Sequence, residues 1–322
     1  MEKVRYGILS TAQIVPRFVE GVNQSDVGEV IAIASRDLKK AESVADELDI
    51  TKAYGSYTEL CQDEEVDVVY VATYNKGHYE AAKLALMHHK HVLVEKPFTL
   101  KVPHAKELFE LAAQNNCFLM EAQKSVFLPI SLQVKQAIEQ QKIGRVHWIQ
   151  SVTTYPNVEH IRWFDSLDAG GGTLHGSGSY PLQYMQFLLD QPIKKYHGDA
   201  TRKKGKTDTQ VNMAVQFDKQ VLGSIFISVA LDIPSKLTIY GEKGRIEIPY
   251  FWKAKQAVIY NETGTVEKLV GGFESEFVFE INHVNECIQK GIIESPVMTR
   301  ERTVDTVCLI DQLYTEWLEE DN

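Results

Sequence analysis

Five short apolar runs punctuate the first 122 residues, and each is followed by a stretch whose apolar residues recur at helical spacing. They are Val4 to Leu9, Val30 to Ser35, Val66 to Ala72, His91 to Lys96 and Cys117 to Ala122. Apolar residues run through these segments without alternation, so the strands they predict are buried on both faces. Strand alternating with helix requires parallel strands joined by helical crossovers. The prediction is an α/β, doubly wound parallel sheet of the Rossmann type over residues 1–122. The helices between the strands are also legible. One runs near Gln13 to Val22, with Pro16 in the first turn, where a missing N–H costs little. A second, in "DLKKAESVADELD", takes Asp37 as N-cap. A third, in "NKGHYEAAKLALMHHK", takes Asn75 as its cap, and the last lies in "KVPHAKELFELAAQNN".

Beyond Ala122 the texture changes. A helix near Leu128 to Gln141 and a long strand from Gly144 to Tyr155 lead to a Gly-rich turn, "DAGGGTLHGSGSYPLQ", that runs into another helix. Short strands and turn signals fill Lys194 to Val270, and two helices close the chain. Residues 123–322 therefore predict an α+β domain with an open, mostly antiparallel sheet. In doubly wound sheets ligands bind outside the carboxyl ends of the strands. Glu95-Lys96-Pro97 closes a buried strand at such an end. A lysine there either finds solvent or points into a crevice, and the crevice accounts for it better.

The bulk properties narrow the partners. A chain of 322 residues suits two domains, and a formal net charge of -10 disfavours nucleic acid and anionic membrane. No apolar run approaches the ~20 residues of a membrane helix. Four cysteines without a C-x-x-C pair fit a reducing cytoplasm and offer no zinc knuckle. His88, His89 and His91 read as helix-end cations rather than metal ligands, and "RKKGK" as a solvated hairpin turn. The expected partner is a small molecule, with no metal.

Two turns carry candidate chemistry for a nucleotide. After the first strand, Ser10-Thr11-Ala12-Gln13-Ile14 stand where a G-x-G-x-x-G fingerprint would lie. Its glycines are replaced, yet the small residues Ser10 and Ala12 still let a backbone approach a pyrophosphate at a helix N-terminus. A plain strand-to-helix turn fits the same stretch. The second strand ends in Ser35-Arg36, a hydroxyl and a guanidinium suited to a 2′-phosphate, where an acid would suit NAD. A surface arginine paired with a helix acid is the alternative.

The run "VDVVYVATYNKGHYEAAKLALMHHKHVLVEKP" resembles the glucose–fructose oxidoreductase / inositol dehydrogenase (Gfo/Idh/MocA) family, with Asn75, His78 and Glu95-Lys96-Pro97 in the family's order. The segments "RDLKKAESVADELDI" and "GGGTLHGSGSYPLQ" most resemble its dimeric dihydrodiol dehydrogenase and NADP-linked xylose dehydrogenase branch. The resemblance implies a cofactor, NADP with NAD possible, held also by Ala72, Thr73, Tyr74, Asn75, His78, Glu95, Lys96 and Pro97. It implies that Lys96 reaches nicotinamide and substrate, that Pro97 turns the chain into the crevice, and that Tyr180 exchanges the proton. A packed helix tyrosine is the plainer reading of Tyr180. Where many members carry an aspartate this chain has Gly176. Arg162, Trp163 and Asp165 are weaker substrate candidates. The expected activity is hydride transfer between nicotinamide and a sugar, polyol or cyclic diol. The loss of the aspartate leaves a nucleotide-binding regulator with little or no turnover as the alternative. A homodimer is expected through the second sheet, whose outer face is read as Ile225, Ile227 and Val229.

Overall fold

The computed structural model describes residues 3–264 and 266–320. The chain divides into two compact units. One comprises the residues up to Gln123 together with Ser275–Val304, the other Lys124–Glu274 and the residues from Asp305 on. Among the described residues no helix is long and apolar enough to cross a membrane.

The first unit runs β1 (Val4–Leu9), α1 (Val15–Asn23), β2 (Gly28–Ala34), α2 (Leu38–Glu47), β3 (Lys52–Tyr54), α3 (Tyr57–Gln62), β4 (Val68–Val71), α4 (Gly77–Met87), β5 (His91–Val94), α5 (Val102–Gln114) and β6 (Leu119–Glu121). The strands are parallel, in the order β3-β2-β1-β4-β5-β6. This is the doubly wound sheet that the apolar runs predict. It has one more strand than they showed, because β3 is three half-buried residues long. Helix α3 also went unread, although Ser56 and Glu59 form a reciprocal capping box at its start. The strand ends are level: Leu9 pairs with Ala34 and Val71, Val71 with Val94, and Val94 with Glu121. Ser10, Ser35, Ala72 and Glu95 therefore emerge along one edge of the sheet. Two local readings are corrected. The N-cap position of α4 is Lys76, without a side-chain cap hydrogen bond, and Asn75 is buried before it. His91 is no helix-end cation. Burial holds its imidazole below the usual value, and Nδ1 accepts the Phe118 N–H at 2.9 Å.

The second unit contains α6 (Pro129–Glu139), β7 (Val146–Thr154), α7 (Thr173–Ser177), α8 (Ser179–Leu189), β8 (Ile193–Arg202), β9 (Asp208–Phe217), β10 (Leu222–Ser228), β11 (Lys236–Gly241), β12 (Gly244–Pro249), β13 (Gln256–Asn261) and β14 (Val266–Val270). Its strands form one sheet, β14-β13-β12-β11-β7-β10-β9-β8, antiparallel except where β10 runs parallel to β7. Helices α6 and α7 pack on one face. Ile225 and Ile227 belong to that covered face and are fully buried. The outer face is instead the other residue set: Trp148, Gln150 and Val152 of β7 beside Leu222, Ser224 and Phe226 of β10. A one-residue change of register exchanges the faces of a strand, and two apolar sets in β10 hid which was which.

Helix α9 (Val278–Gln289) groups with the first unit, whereas the sequence reading kept the whole of residues 123–322 together. The physical reason is an aromatic stack. Phe18 lies flat on Tyr70 at 3.6 Å and edge-on to both Tyr6 and Phe277. The Tyr6 hydroxyl donates to Asn285 Oδ1 at 2.6 Å. Burying such rings contributes roughly 1.5–3 kcal/mol each, and an unpaired phenol in that core would cost more than the bond it makes. Helix α10 (Arg300–Glu319) is divided between the units after Val304.

Candidate active site

Helix α1 starts without a side-chain cap and with Pro16 in its first turn. Orphan N–H groups and the positive end of the helix dipole at that point favour an anion. The turn that leads in is tight: Ser10 has φ of 112°, a conformation that favours glycine, and its N–H bonds Ala34 O at 2.9 Å. Ser10 thus adopts a backbone conformation that glycine would take more readily. Thr11, Ala12 and Ile14 are half-buried along the turn, and Gln13 is exposed.

At the end of β2, Ser35 Oγ accepts the Asp37 N–H at 3.3 Å, and Asp37 accepts from Lys40 as the N-cap of α2. Asp37 is thereby committed to its helix. Arg36 is exposed and makes no hydrogen bond or ion pair among the described residues, so the paired-arginine alternative does not hold. It lines a cavity of about 570 Å³ together with Ser10, Thr73 and Tyr74. Tyr57 and Lys76, which sequence reasoning missed, line it too. The capping box that marks α3 could have located Tyr57. Burial pushes its phenol up, and the Arg36 charge pulls the other way.

The other family positions lie under this edge. His78 is buried, with Nδ1 at 2.8 Å from Pro97 O and Nε2 at 3.0 Å from Thr73 O. It ties the loop after β4 to the loop after β5 and is not among the cavity-lining residues. Burial pulls its imidazole down more than the two carbonyls and the Glu95 charge raise it. Glu95 Oε1 accepts the Tyr70 hydroxyl at 2.6 Å, and Oε2 accepts the Lys96 N–H at 3.2 Å. The aromatic stack therefore fixes the carboxylate, and the carboxylate fixes the backbone that carries Lys96. The Lys96-Pro97 bond is cis, Lys96 is half-buried, and Ala72 and Pro97 are buried.

In the second unit the Gly-rich turn is pinned by a residue that sequence reasoning missed. Asp208 Oδ2 accepts the Leu174 N–H at 2.8 Å, Oδ1 accepts the Tyr314 hydroxyl, and its carbonyl accepts Thr173 Oγ1 at 2.9 Å. Burial raises its carboxyl, and these donors offset part of the rise. Gly172 has φ of 99°, and a Cβ there would lie 2.3 Å from Asp208 Oδ1. Only glycine fits. His175 is absorbed by this hub: Nδ1 donates to Gly171 O at 3.1 Å and its ring stacks on Tyr314 at 3.9 Å.

Tyr180, on the first turn of α8, is half-buried. Lys124, buried in the 3-10 turn Lys124–Phe127, places Nζ 6.0 Å from the centre of its ring. The slot beside Gly176 is not empty, since a Cβ there would meet Tyr155 Oη at 3.1 Å. Tyr155 Oη also donates to Thr173 O at 3.2 Å. The Tyr155 hydroxyl thus borders the position where an aspartate side chain would begin. Arg162 and Asp165 are exposed and Trp163 is half-buried, and none of the three makes a side-chain hydrogen bond or ion pair among the described residues.

Comparison with known proteins identifies the family and the fold. Residues 4–123 match the family model described as oxidoreductase family, NAD-binding Rossmann fold, and residues 131–247 match the GFO/IDH/MocA C-terminal domain. The trans-1,2-dihydrobenzene-1,2-diol dehydrogenase of Mus musculus is 33% identical over 306 residues, which cover 92% of this chain and 91% of the relative. That of Xenopus laevis is 31% identical, with 92% of each chain covered. Among solved structures, a 3-ketoreductase from Actinomadura kijaniata in complex with NADP and TDP-benzene superposes with a TM-score of 0.86 at 24% identity, covering 98% of each chain. An aldose-aldose oxidoreductase from Caulobacter crescentus complexed with glycerol gives 0.87 at 18% identity, covering 100% and 99%. At those identities the likeness is one of fold. The family matches and the curated relatives go further: this chain belongs to the Gfo/Idh/MocA oxidoreductase family, with an NAD-binding Rossmann fold in its first part.

Proposed function

We propose that the protein is an NADP-dependent oxidoreductase that interconverts a hydroxyl and a carbonyl on a sugar, polyol or cyclic diol. The observation that carries this is Arg36, unpaired among the described residues and lining a cavity beside Ser10 at the level ends of the parallel strands. Its guanidinium and the hydroxyl of Ser35 suit a 2′-phosphate, and the uncapped start of α1 suits a pyrophosphate. The donor set therefore fits NADP, and bound there its nicotinamide would supply or take up the hydride. Residues 1–122 hold the cofactor in this reading, and residues 123–322 hold the substrate. Tyr180 exchanges a proton with the substrate oxygen, and Lys96 takes part in the proton transfer. The named activities of the relatives and neighbours support a substrate with a hydroxyl or carbonyl carbon.

The half-exposed Trp148, Phe226 and Tyr240 on the open face of the second sheet support a homodimer through that face. Light scattering at micromolar concentration should show two chains per particle, and a stable monomer would remove this part of the proposal. The buried free thiols Cys61, Cys117 and Cys287 are in keeping with a cytoplasmic protein.

The test is a screen of sugars, polyols and cyclic diols with NADP and with NAD, read at the nicotinamide absorbance. Turnover with one of these classes, faster with NADP, is expected. Tyr180→Phe should lower it by ~10²–10⁴ while NADP affinity holds. Tight NADP binding without turnover on any of them would replace the enzyme by the regulator.

A further inference from the structure

We infer that Lys124 is an ammonium serving Tyr180, one that holds the phenol ready to ionise from within the same structural unit. The inference rests on reading Tyr180 as the proton-exchanging group. Nothing in "EAQKSVFLPI" distinguishes Lys124 from a solvated surface lysine. The structure does, because Lys124 is 6% exposed, within a 3-10 turn whose four residues are all buried. A lysine is kept in such a place only if its charge is compensated. Lys124 has further partners, and the ring of Tyr180 is among the groups that face its charge, with Nζ 6.0 Å from the ring centre. The negative charge of a phenolate spreads into the ring, so a cation there favours the ionised form beyond its attraction for the neutral π-face.

The placement is held by the helix that carries Tyr180. Tyr184 lies one turn further along α8, and its hydroxyl donates to Ser131 Oγ at 2.9 Å. Ser131 Oγ donates in turn to Ser125 O at 2.6 Å, in the residue after Lys124. Tyr184 is fully buried and its ring stacks on Phe251 at 5.1 Å. The relay α8 to α6 to the 3-10 turn therefore sets the distance between cation and phenol by packed groups on both sides.

Glu121, buried three residues before Lys124 in the chain, accepts the Phe98 N–H at 3.2 Å. Several titratable groups on the neighbouring elements are held by partners of their own or lie at the surface. On α6, Lys135 Nζ donates to Phe187 O at 3.0 Å, toward the far end of α8, and Glu139 is exposed. His175 of α7 is bound to Gly171 O and stacked on Tyr314. Tyr155 Oη donates to Thr173 O, and burial raises its phenol, so it stays neutral beside the site. In the 3-10 turn Phe251–Lys253, which packs against the turn of Lys124, Lys253 Nζ lies over the Tyr250 ring at 5.7 Å. Helix α8 itself carries no ionisable side chain besides Tyr180 and Tyr184.

The experiment reads the phenol directly. Ultraviolet titration of tyrosinate, wild type minus Tyr180→Phe, gives the Tyr180 transition without substrate. A unit charge ~6 Å away at an effective dielectric near ~20 is equivalent to ~2 pH units, and the half exposure of Tyr180 reduces this to ~1. Lys124→Met should therefore move the transition up by ~1 pH unit. It should also lower neutral-pH turnover about tenfold with NADP affinity unchanged, and Lys124→Arg should restore both. Lys124→Gln, which keeps a polar end in the turn, should show the same upward shift should the methionine variant prove insoluble. A Tyr180 transition unmoved by the loss of the charge, or equal losses in Lys124→Met and Lys124→Arg, would overturn the inference. Should the transition move while Tyr180→Phe keeps full turnover, the acid/base reading of Tyr180 falls and the Lys124 effect stands.

Discussion

Arg36→Ala separates the two nicotinamide cofactors on a single contact. The side chain is exposed and unpaired among the described residues, so its removal breaks no bond within the protein. Folding stability should stay within about 0.5 kcal/mol of wild type, the usual span for a surface site without special contacts. Whatever affinity is lost therefore belongs to the ligand. A charge-assisted hydrogen bond contributes ~1.5–3 kcal/mol, so the NADP dissociation constant should rise ~10- to 150-fold. NAD lacks the 2′-phosphate and should change less than threefold. The contact lies at an open surface, where screening acts over ~8–10 Å, so the NADP penalty should shrink as salt rises from ~0.05 to ~0.5 M. Fluorescence or calorimetric titration with each cofactor at both salt levels measures all of this. Equal losses for NADP and NAD, or a penalty indifferent to salt, would show that Arg36 does not read the phosphate and that the cavity holds another part of the nucleotide.

Further outcomes follow from local geometry. Ser10→Gly should raise stability by ~0.5–2 kcal/mol, since a non-glycine residue at φ of 112° stores ~1–3 kcal/mol and glycine returns part of the relief as unfolded-state entropy; an unchanged denaturant midpoint would show no such strain. Burial holds His78, His91 and His283 below the ordinary imidazole value, so below pH ~6.5 the unfolded chain binds protons that the folded chain refuses. Stability should then be lost as pH falls from ~7 toward ~5, by up to ~1.4 kcal/mol per pH unit for each group, and denaturant midpoints that stay level over that range would contradict it. Gly176→Asp crowds Tyr155 Oη, 3.1 Å from the new Cβ, and should cost ~1–3 kcal/mol, less in a Tyr155→Phe background where the hydroxyl is absent; additive losses in that double variant would mean the two sites do not share the slot.

The first sheet was legible because its strands are buried on both faces, and burial of that kind leaves an uninterrupted apolar record in "VIAIAS" or "HVLVEK". The record failed where burial was partial. Lys52–Tyr54 is a strand by pairing alone, with all three residues half-buried. It failed also in β10, where Ile225 and Ile227 face the core while Leu222 and Phe226 face outward, because apolar residues on both sides leave the alternation unreadable. The grouping of α9 was invisible for a different reason. Phe277 and Asn285 find Phe18 and Tyr6 across more than 250 residues, a contact that no local pattern announces.

The candidate site divides along the same line. Residues whose chemistry follows from their place on a strand end could be named in advance, and Ser10, Arg36, Thr73 and Tyr74 come together around one cavity. Residues that act by holding others could not. His78 looked like a ligand because it sits in the right order in the chain, yet its two ring nitrogens are taken up by Thr73 O and Pro97 O. Asp208 drew no reading from the sequence, yet it receives the Leu174 N–H and the Tyr314 hydroxyl and so sets the turn before Tyr180. Lys124 carried no signal at all, because what makes it unusual is its burial, in a turn whose next residue, Ser125, is tied through Ser131 to Tyr184. Strand-end residues meet a ligand through backbone positions set by sheet register, and register is a property of short segments. The supporting residues meet one another through tertiary packing, so a change in one of them should move the pKa or the stability of its neighbour before it alters which molecule is bound.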